Sequence, residues 1–173
     1  MSTFFQWRGV NLFCGDDAEG KWLTIEEVSL PELNEATDTY VPGGGHVEVE
    51  FATHLEKLEA GFNLKGEDRS IYSHFGLGAR EPRKYTILGE IVNKRNGALV
   101  EGRAVIEARL GKIAPGTIKQ GDLRGYEYGL TEILHYEVYE AGEELFFWDF
   151  WTNQVRSGGN DRGSATNSIL QIG

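Results

Sequence analysis

From Leu30 to Gly66 the chain reads LPELNEATDTYVPGGGHVEVEFATHLEKLEAGFNLKG, and this stretch constrains the fold more than any other. Leu30-Pro31 ends a strand, because proline has no N–H for the ladder and holds its predecessor extended. The next dozen residues carry no sustained apolar period. Pro42 followed by Gly43, Gly44 and Gly45 lets the backbone turn sharply, since glycine accepts positive φ without a Cβ clash. Val47, Val49 and Phe51 then alternate with His46, Glu48 and Glu50, the two-residue period of a half-buried strand. Leu58, Ala60, Phe62 and Leu64 alternate with Glu59, Gly61, Asn63 and Lys65 in a second run closed by Gly66. A polar arm of this length between strands cannot bury itself on one compact domain, and loops this long are usually functional or disordered. The expectation is an arm at about 31–46 that reaches for a neighbour.

The rest of the chain fits a single domain over 1–173, large enough to bury a core without staples. A net charge of −10 opposes tight binding to nucleic acid or anionic membrane. Cys14 is the single cysteine, so no intrachain disulfide forms, and its apolar surroundings mark it as a small buried hydrophobe. No window approaches the roughly 20 apolar residues of a membrane helix, and the N-terminus lacks a signal-peptide pattern. A soluble product without membrane insertion is expected. Frequent glycine, scarce proline and many aromatics favour a strand-rich domain.

Trp7 to Cys14 reads as a strand, and a second strand with loosely defined facing spans Lys21 to Leu30. Glu67 to Leu77 is the one expected helix, with Ile71 and Phe75 on one face and acidic residues in its first turn. Tyr85–Lys94 and Ala98–Leu110 form a hairpin across Lys94-Arg95-Asn96-Gly97, because Asn-Gly supplies the positive φ values of a two-residue turn; this is the strongest hairpin signal in the sequence. Gly111 to Arg124 is a connecting loop. A long strand follows, with Tyr126, Tyr128, Leu130, Leu134, Tyr136 and Val138 on one face, interrupted by Glu132. Leu145 to Thr152 is apolar on both faces except at Asp149, as for a strand buried between layers. The polar tail ends in Ile169, Leu170 and Ile172, an apolar segment fit to dock on a strand edge.

Catalytic chemistry finds little support. His46, His54, His74 and His135 have no pair at metal-ligand spacing, and neither a metal site nor a cofactor is expected. Gly43-Gly44-Gly45 is followed by no Lys-Ser/Thr and by a strand, which argues against a phosphate loop. Asp149 reads as a structural carboxylate satisfied by backbone donors or an arginine. Charge is segregated instead. Asp16 to Asp68 holds fourteen acidic residues and three lysines, whereas Arg80 to Arg124 holds ten basic and five acidic ones. Opposed charged regions favour head-to-tail association, and heterologous contacts that do not close make filaments.

The order of several short marks adds to this. VNLF (Val10 to Phe13), SLPEL (Ser29 to Leu33), the Gly43–Gly45 cluster, LEAGFNLKG (Leu58 to Gly66), a helix, a charged hairpin and YEVYEAGEELFFWDFWTNQV (Tyr136 to Val155) follow one another, with Asp149, Asn153, Gly158, Gly159 and Asp161 late. Together they resemble the major tail tube protein family of contractile-tailed bacteriophages and R-type pyocins. The resemblance covers nearly the whole chain. It departs in an unusually aromatic final strand, and the Arg95 turn matches no specified family residue.

The resemblance implies a mainly β (α+β) fold: a β-sandwich-like domain with one helix, six copies of which form a ring whose inner strands join into one barrel. Stacked rings would make a non-enzymatic virion component, a tail tube that conducts DNA in transit without specific binding. Its implied partners are further copies of itself, a tail sheath protein, a baseplate tube initiator and a tape-measure protein, with assembly in the host cytoplasm. On this reading Glu32, Glu35, Asp38, Tyr40, Pro42, Gly43 and Gly44 make inter-ring contacts, and Arg80, Arg83 and Lys84 offer the complementary basic surface. Alternation nominates His46, Glu48, Glu50, Glu59, Asn63, Glu101 and Glu107 to face the lumen, with Arg103 and Arg109 as potential partners of those glutamates. The rival is a monomeric ligand-binding β-barrel or sandwich, with Trp22, Trp148 and Trp151 lining an apolar cavity.

Overall fold

Strand periodicity dominates the structure, a computed structural model that describes residues 3–172. In chain order its elements are β1 (Phe5–Cys14), β2 (Ile25–Ser29), β3 (Glu35–Tyr40), β4 (Val49–Leu55), β5 (Ala60–Lys65) and α1 (Arg69–Tyr72). They continue as β6 (Arg83–Asn93), β7 (Leu99–Pro115), β8 (Gly125–Glu140), β9 (Glu143–Asp149), β10 (Gln154–Ser157), β11 (Asn160–Asp161) and α2 (Ser164–Leu170). The main sheet runs β1-β6-β7-β8-β9-β10-β11, with β5 also on β8 and β2 on β5. All its ladders are antiparallel.

The hairpin is present, with β6 and β7 paired from Arg83↔Ala108 to Val92↔Leu99, but the two-residue turn is not: of Asn96-Gly97 only Gly97 takes a positive φ, +71°, within a longer connection over 94–98. The β7–β8 pair is the longest ladder and carries the sheet around the core. Alternate residues of β6, β7 and β8 supply that core, with Tyr85, Ile106, Leu110 and Tyr128 fully buried beside Leu12 and Leu64. Cys14 is wholly buried, and that burial pushes its thiol up to about 12. The sheet curls until β2 approaches β1, and in the segment leading into β2 the Lys21 amide donates to the Leu12 carbonyl at 2.8 Å. No ladder joins the two strands, so the body is an open curl rather than a closed barrel.

The mainly β fold expected from the sequence is present, with local corrections: β7 runs on through Pro115 where a connecting loop was expected from Gly111, and the strand expected over Lys21–Leu30 is only Ile25–Ser29. The helix over 67–77 is one turn, Arg69–Tyr72; Ile71 is buried, but Phe75 is exposed and only bridges to Leu110. Past Tyr72 the amides of Ser73, His74 and Phe75 donate three residues back, at 3.2, 3.0 and 3.2 Å, and Gly76 at φ +104° then turns the chain away. A second helix, α2, forms where a polar tail with a short apolar end fit to dock on a strand edge was expected, and its Ile169 and Leu170 face solvent instead. Finally, β9 buries only Phe146 fully, because it lies near the end of the sheet with short strands beyond it rather than between layers.

Candidate assembly interface

The arm is part of one long hairpin. Ser29 pairs with Gly61 and Glu35 with Leu55, six residues further along on each strand, so β2–β5 and β3–β4 share one register. Between them the ladder breaks at 30–34 and 56–59, where Pro31 cannot donate. The Glu56 amide to the Asn34 carbonyl, at 2.8 Å, restores the pairing above the break.

The reason for the break lies on β8. One edge of β8 pairs with β7 along most of its length. On the opposite edge, residues 125–130 take β5 and residues 135–140 take β9. A straight hairpin would carry β4 onto the place that β9 occupies, so the ribbon peels off. The sheet therefore forks. At the apex β8 bulges: Glu107 faces His135 but Arg109 faces Thr131, and Glu132 sits at φ +49°. The residue that interrupted the apolar alternation is the residue that bends the strand. Its carboxylate accepts from Arg109 at 2.7 Å, while the same guanidinium donates to the Gly76 and Ala79 carbonyls.

Beyond the fork, β3 and β4 pair with each other and with no other strand. Every residue of β4 is exposed, which corrects the half-buried strand expected there: the alternation is real, but among the described residues nothing covers its apolar side. Tyr40, Val41, Val47, Val49 and Phe51 stand in solvent beside Glu35, Asp38, Glu48 and Glu50. A lone two-stranded ribbon is marginal in water, and exposed edges with apolar side chains are pairing surfaces. At its base a groove of about 720 Å³ opens between Leu55 and Leu58 of the arm and Leu134, Trp148 and Phe150 of the body.

The other nominated residues scatter. Pro42, Gly43, Gly44 and His46 lie in the arm's tip, Glu32 before β3, and Glu59 at the break. Asn63 is half-buried on β5 and donates to Glu27. Glu101 and Glu107 are exposed on β7, away from the arm. Arg103 pairs with Glu137 at 3.8 Å and Arg109 with Glu132, so neither meets the glutamates on its own strand face. Arg80 and Lys84 are exposed; Arg83 is half-buried, its side chain lying against the backbone of Gly15. Asp149 is a satisfied structural carboxylate that accepts from the Thr152 amide and hydroxyl, both at 2.8 Å, and contacts His135 at 3.1 Å. Burial pushes its pKa up, but these hydrogen bonds outweigh that and hold it below the ordinary range. Among the described residues no group of side chains is arranged to hold a metal ion, and no helix is long and apolar enough to cross a membrane. The tryptophans do not converge: Trp148 lines the fork groove, Trp22 lines another, and Trp151 is exposed. Sequence reasoning missed the fork itself, whose signal was Glu132 in an otherwise regular alternation.

An open curled sheet with a projecting ribbon is a tail tube fold. The chain is similar to one in the cryo-EM structure of an extracellular contractile injection system, the PVC sheath-tube complex in the extended state. The TM-score is 0.54 at 14% identity, covering 76% of this chain and 88% of that one. A chain of the PVC sheath/tube terminator in the extended state gives 0.51 at 15% identity, over 72% and 91%. No curated protein matches the sequence significantly. The family model for phage tail tube protein FII matches residues 8–170, and the chain belongs to that family. Its role is structural, as a tail tube protein.

Proposed function

We propose that six copies close into a ring and that rings stack head to tail into the inner tube of a contractile device. The observation that carries this reading is the arm, an acidic, apolar ribbon whose two strands find no partner among the described residues beyond each other. The unjoined edges of β1 and β2 support it further, because pairing between copies removes exposed edges that a monomer leaves open. In the ring the inner strands make one joint barrel, and the arm crosses to the next ring, where Glu32, Glu35 and Asp38 meet exposed Arg80 and Lys84. A sheath surrounds the tube, a baseplate initiator nucleates it and a tape-measure protein sets its length. DNA passes through a lumen whose acidic groups, among them Glu101 and Glu107, repel phosphate and leave it mobile. Assembly takes place in the host cytoplasm.

The test is electron microscopy of purified protein over a wide concentration range, with and without reversal of Glu32, Glu35 and Asp38 to lysine. Wild-type protein forms hollow rods with sixfold end views; the triple variant stops at rings or monomers. Normal rods from the variant would sink the role of the arm, and wild-type protein that never forms rods, even on a baseplate nucleus, would sink the tube.

A further inference from the structure

The fork groove and the loop between β7 and β8 lie at opposite ends of the lower part of the body. Residues 116–124 connect the end of β7 to Gly125, which pairs with Lys65 at the bottom of β5. The fork starts past Leu130, where β5 ends, and opens towards the far end of β8, where β9 has taken over the edge. Two copies related by a shift along β8 bring the loop of one to the mouth of the other's groove.

The two surfaces are complementary. In the loop Ile118 and Leu123 are 76% and 79% exposed, far more than a tight turn requires of two large aliphatic residues. Lys119 has no ion-pair partner among the described residues. The loop is held in shape from its base: the Gly116 amide donates to the Gly125 carbonyl at 2.8 Å, and Arg124 Nε donates to the Gly116 carbonyl at 2.9 Å. The groove offers Leu55, Leu58, Leu134, Trp148 and Phe150; Glu56 stands on its rim beside the Lys57–Glu59 ion pair, and Arg162 also lines it. Two exposed aliphatic knobs with Lys119 between them thus match an apolar slot that has Glu56 on its rim.

We propose that the β7–β8 loop of one copy seats in the sheet fork of the next copy along the tube, with Ile118 and Leu123 in the groove and Lys119 against Glu56. The contact is heterologous and does not close, so it propagates along an axis. It also fixes the arm, since the groove's walls are the arm's base on one side and β8–β9 on the other: a filled fork sets the angle at which the ribbon leaves the body. This rests on the tube reading above, and it adds an axial contact distinct from that of the arm's tip.

The test pairs two variants with the wild-type control. Lys119→Cys combined with Glu56→Cys, in a chain whose natural Cys14 is buried, is assembled and oxidised. A ladder of linked oligomers on a non-reducing gel is expected, with each single variant remaining monomeric on the gel. Leu123→Asp, at an exposed position, is expected to keep the far-UV circular dichroism and melting temperature of the wild type while losing tubes. Wild-type tubes together with normal tubes from Leu123→Asp and no ladder from the double variant overturn the loop-in-fork contact alone. Wild-type protein that stays monomeric on a nucleus overturns the tube reading, and this contact with it.

Discussion

Trp7 shows how closely the body is fitted at the scale of single residues. Its indole lies across the cross-strand pair Gly89↔Gly102, and a Cβ on Gly89 would come within 2.1 Å of the ring. Two glycines face each other there because the ring needs the space. Gly102→Val places new atoms 2.8 Å or less from Trp7 and Ile91, so the indole must leave. The expected cost is about 1–3 kcal/mol, with a red-shifted tryptophan emission, measured by urea unfolding followed in fluorescence. Lys21 makes a second fixed point, its ammonium 3.1 Å from Asp17 and 2.7 Å from Asp68, tying α1 to the turn after β1. Asp68 also caps α1 by accepting from the Ser70 amide. Burial pushes the Asp68 pKa up, yet the hydrogen bonds from Lys21 and Ser70 outweigh it, so its folded value lies below its unfolded one. Its stabilisation is therefore present above about pH 4 and is lost as pH falls through the folded value. Asp68→Ala should cost about 1–2 kcal/mol at pH 7. Denaturant titrations from neutral pH down to pH 2 should show that difference shrinking at the acid end; a difference that holds constant would mean the carboxylate's charge contributes nothing.

Among the elements, the long hairpin is the instructive one. One register governs both of its halves, yet its lower half packs and its upper half does not, because β9 holds the stretch of β8 that the upper half would need. The apolar period of β4 predicts burial correctly in kind but names no partner, and the partner lies outside the chain. The β8–β9 turn carries a smaller mismatch. Ala141 and Gly142 have φ of +52° and +81°, the two left-handed positions of a type I′ turn, and alanine is poorly suited to the first. Ala141→Asn should stabilise the protein by about 0.5–1 kcal/mol, read as a higher denaturation midpoint with unchanged slope.

For the whole molecule, the decisive property is asymmetry: a packed body and an uncovered ribbon in one chain. Stability is then unevenly distributed, with the ribbon opening at low cost and the β6–β7–β8 ladders at the cost of global unfolding. Amide hydrogen exchange of unassembled protein should show fast exchange in Glu35–Tyr40 and Val49–Leu55 and slow exchange in β7. In assembled tubes the ribbon should become protected by a factor of about 100 or more, since pairing with another copy removes the open state. Equal exchange in the two states would place the arm outside the tube's contacts.

The sequence by itself determined the strand-rich class, the Asn96-Gly97 hairpin, the buried Cys14, the polar arm and the family resemblance. These depend on local φ/ψ demands, two-residue periodicity and the order of short marks along the chain. The short α1, the exposed β4 and the fork were decided only by the tertiary structure. Each turns on competition between segments distant in sequence: β5 and β9 divide one edge of β8, and Glu132 bends that strand where they part. Periodicity records which side of a strand is apolar. Which neighbour claims the hydrogen-bonding edge is settled in three dimensions.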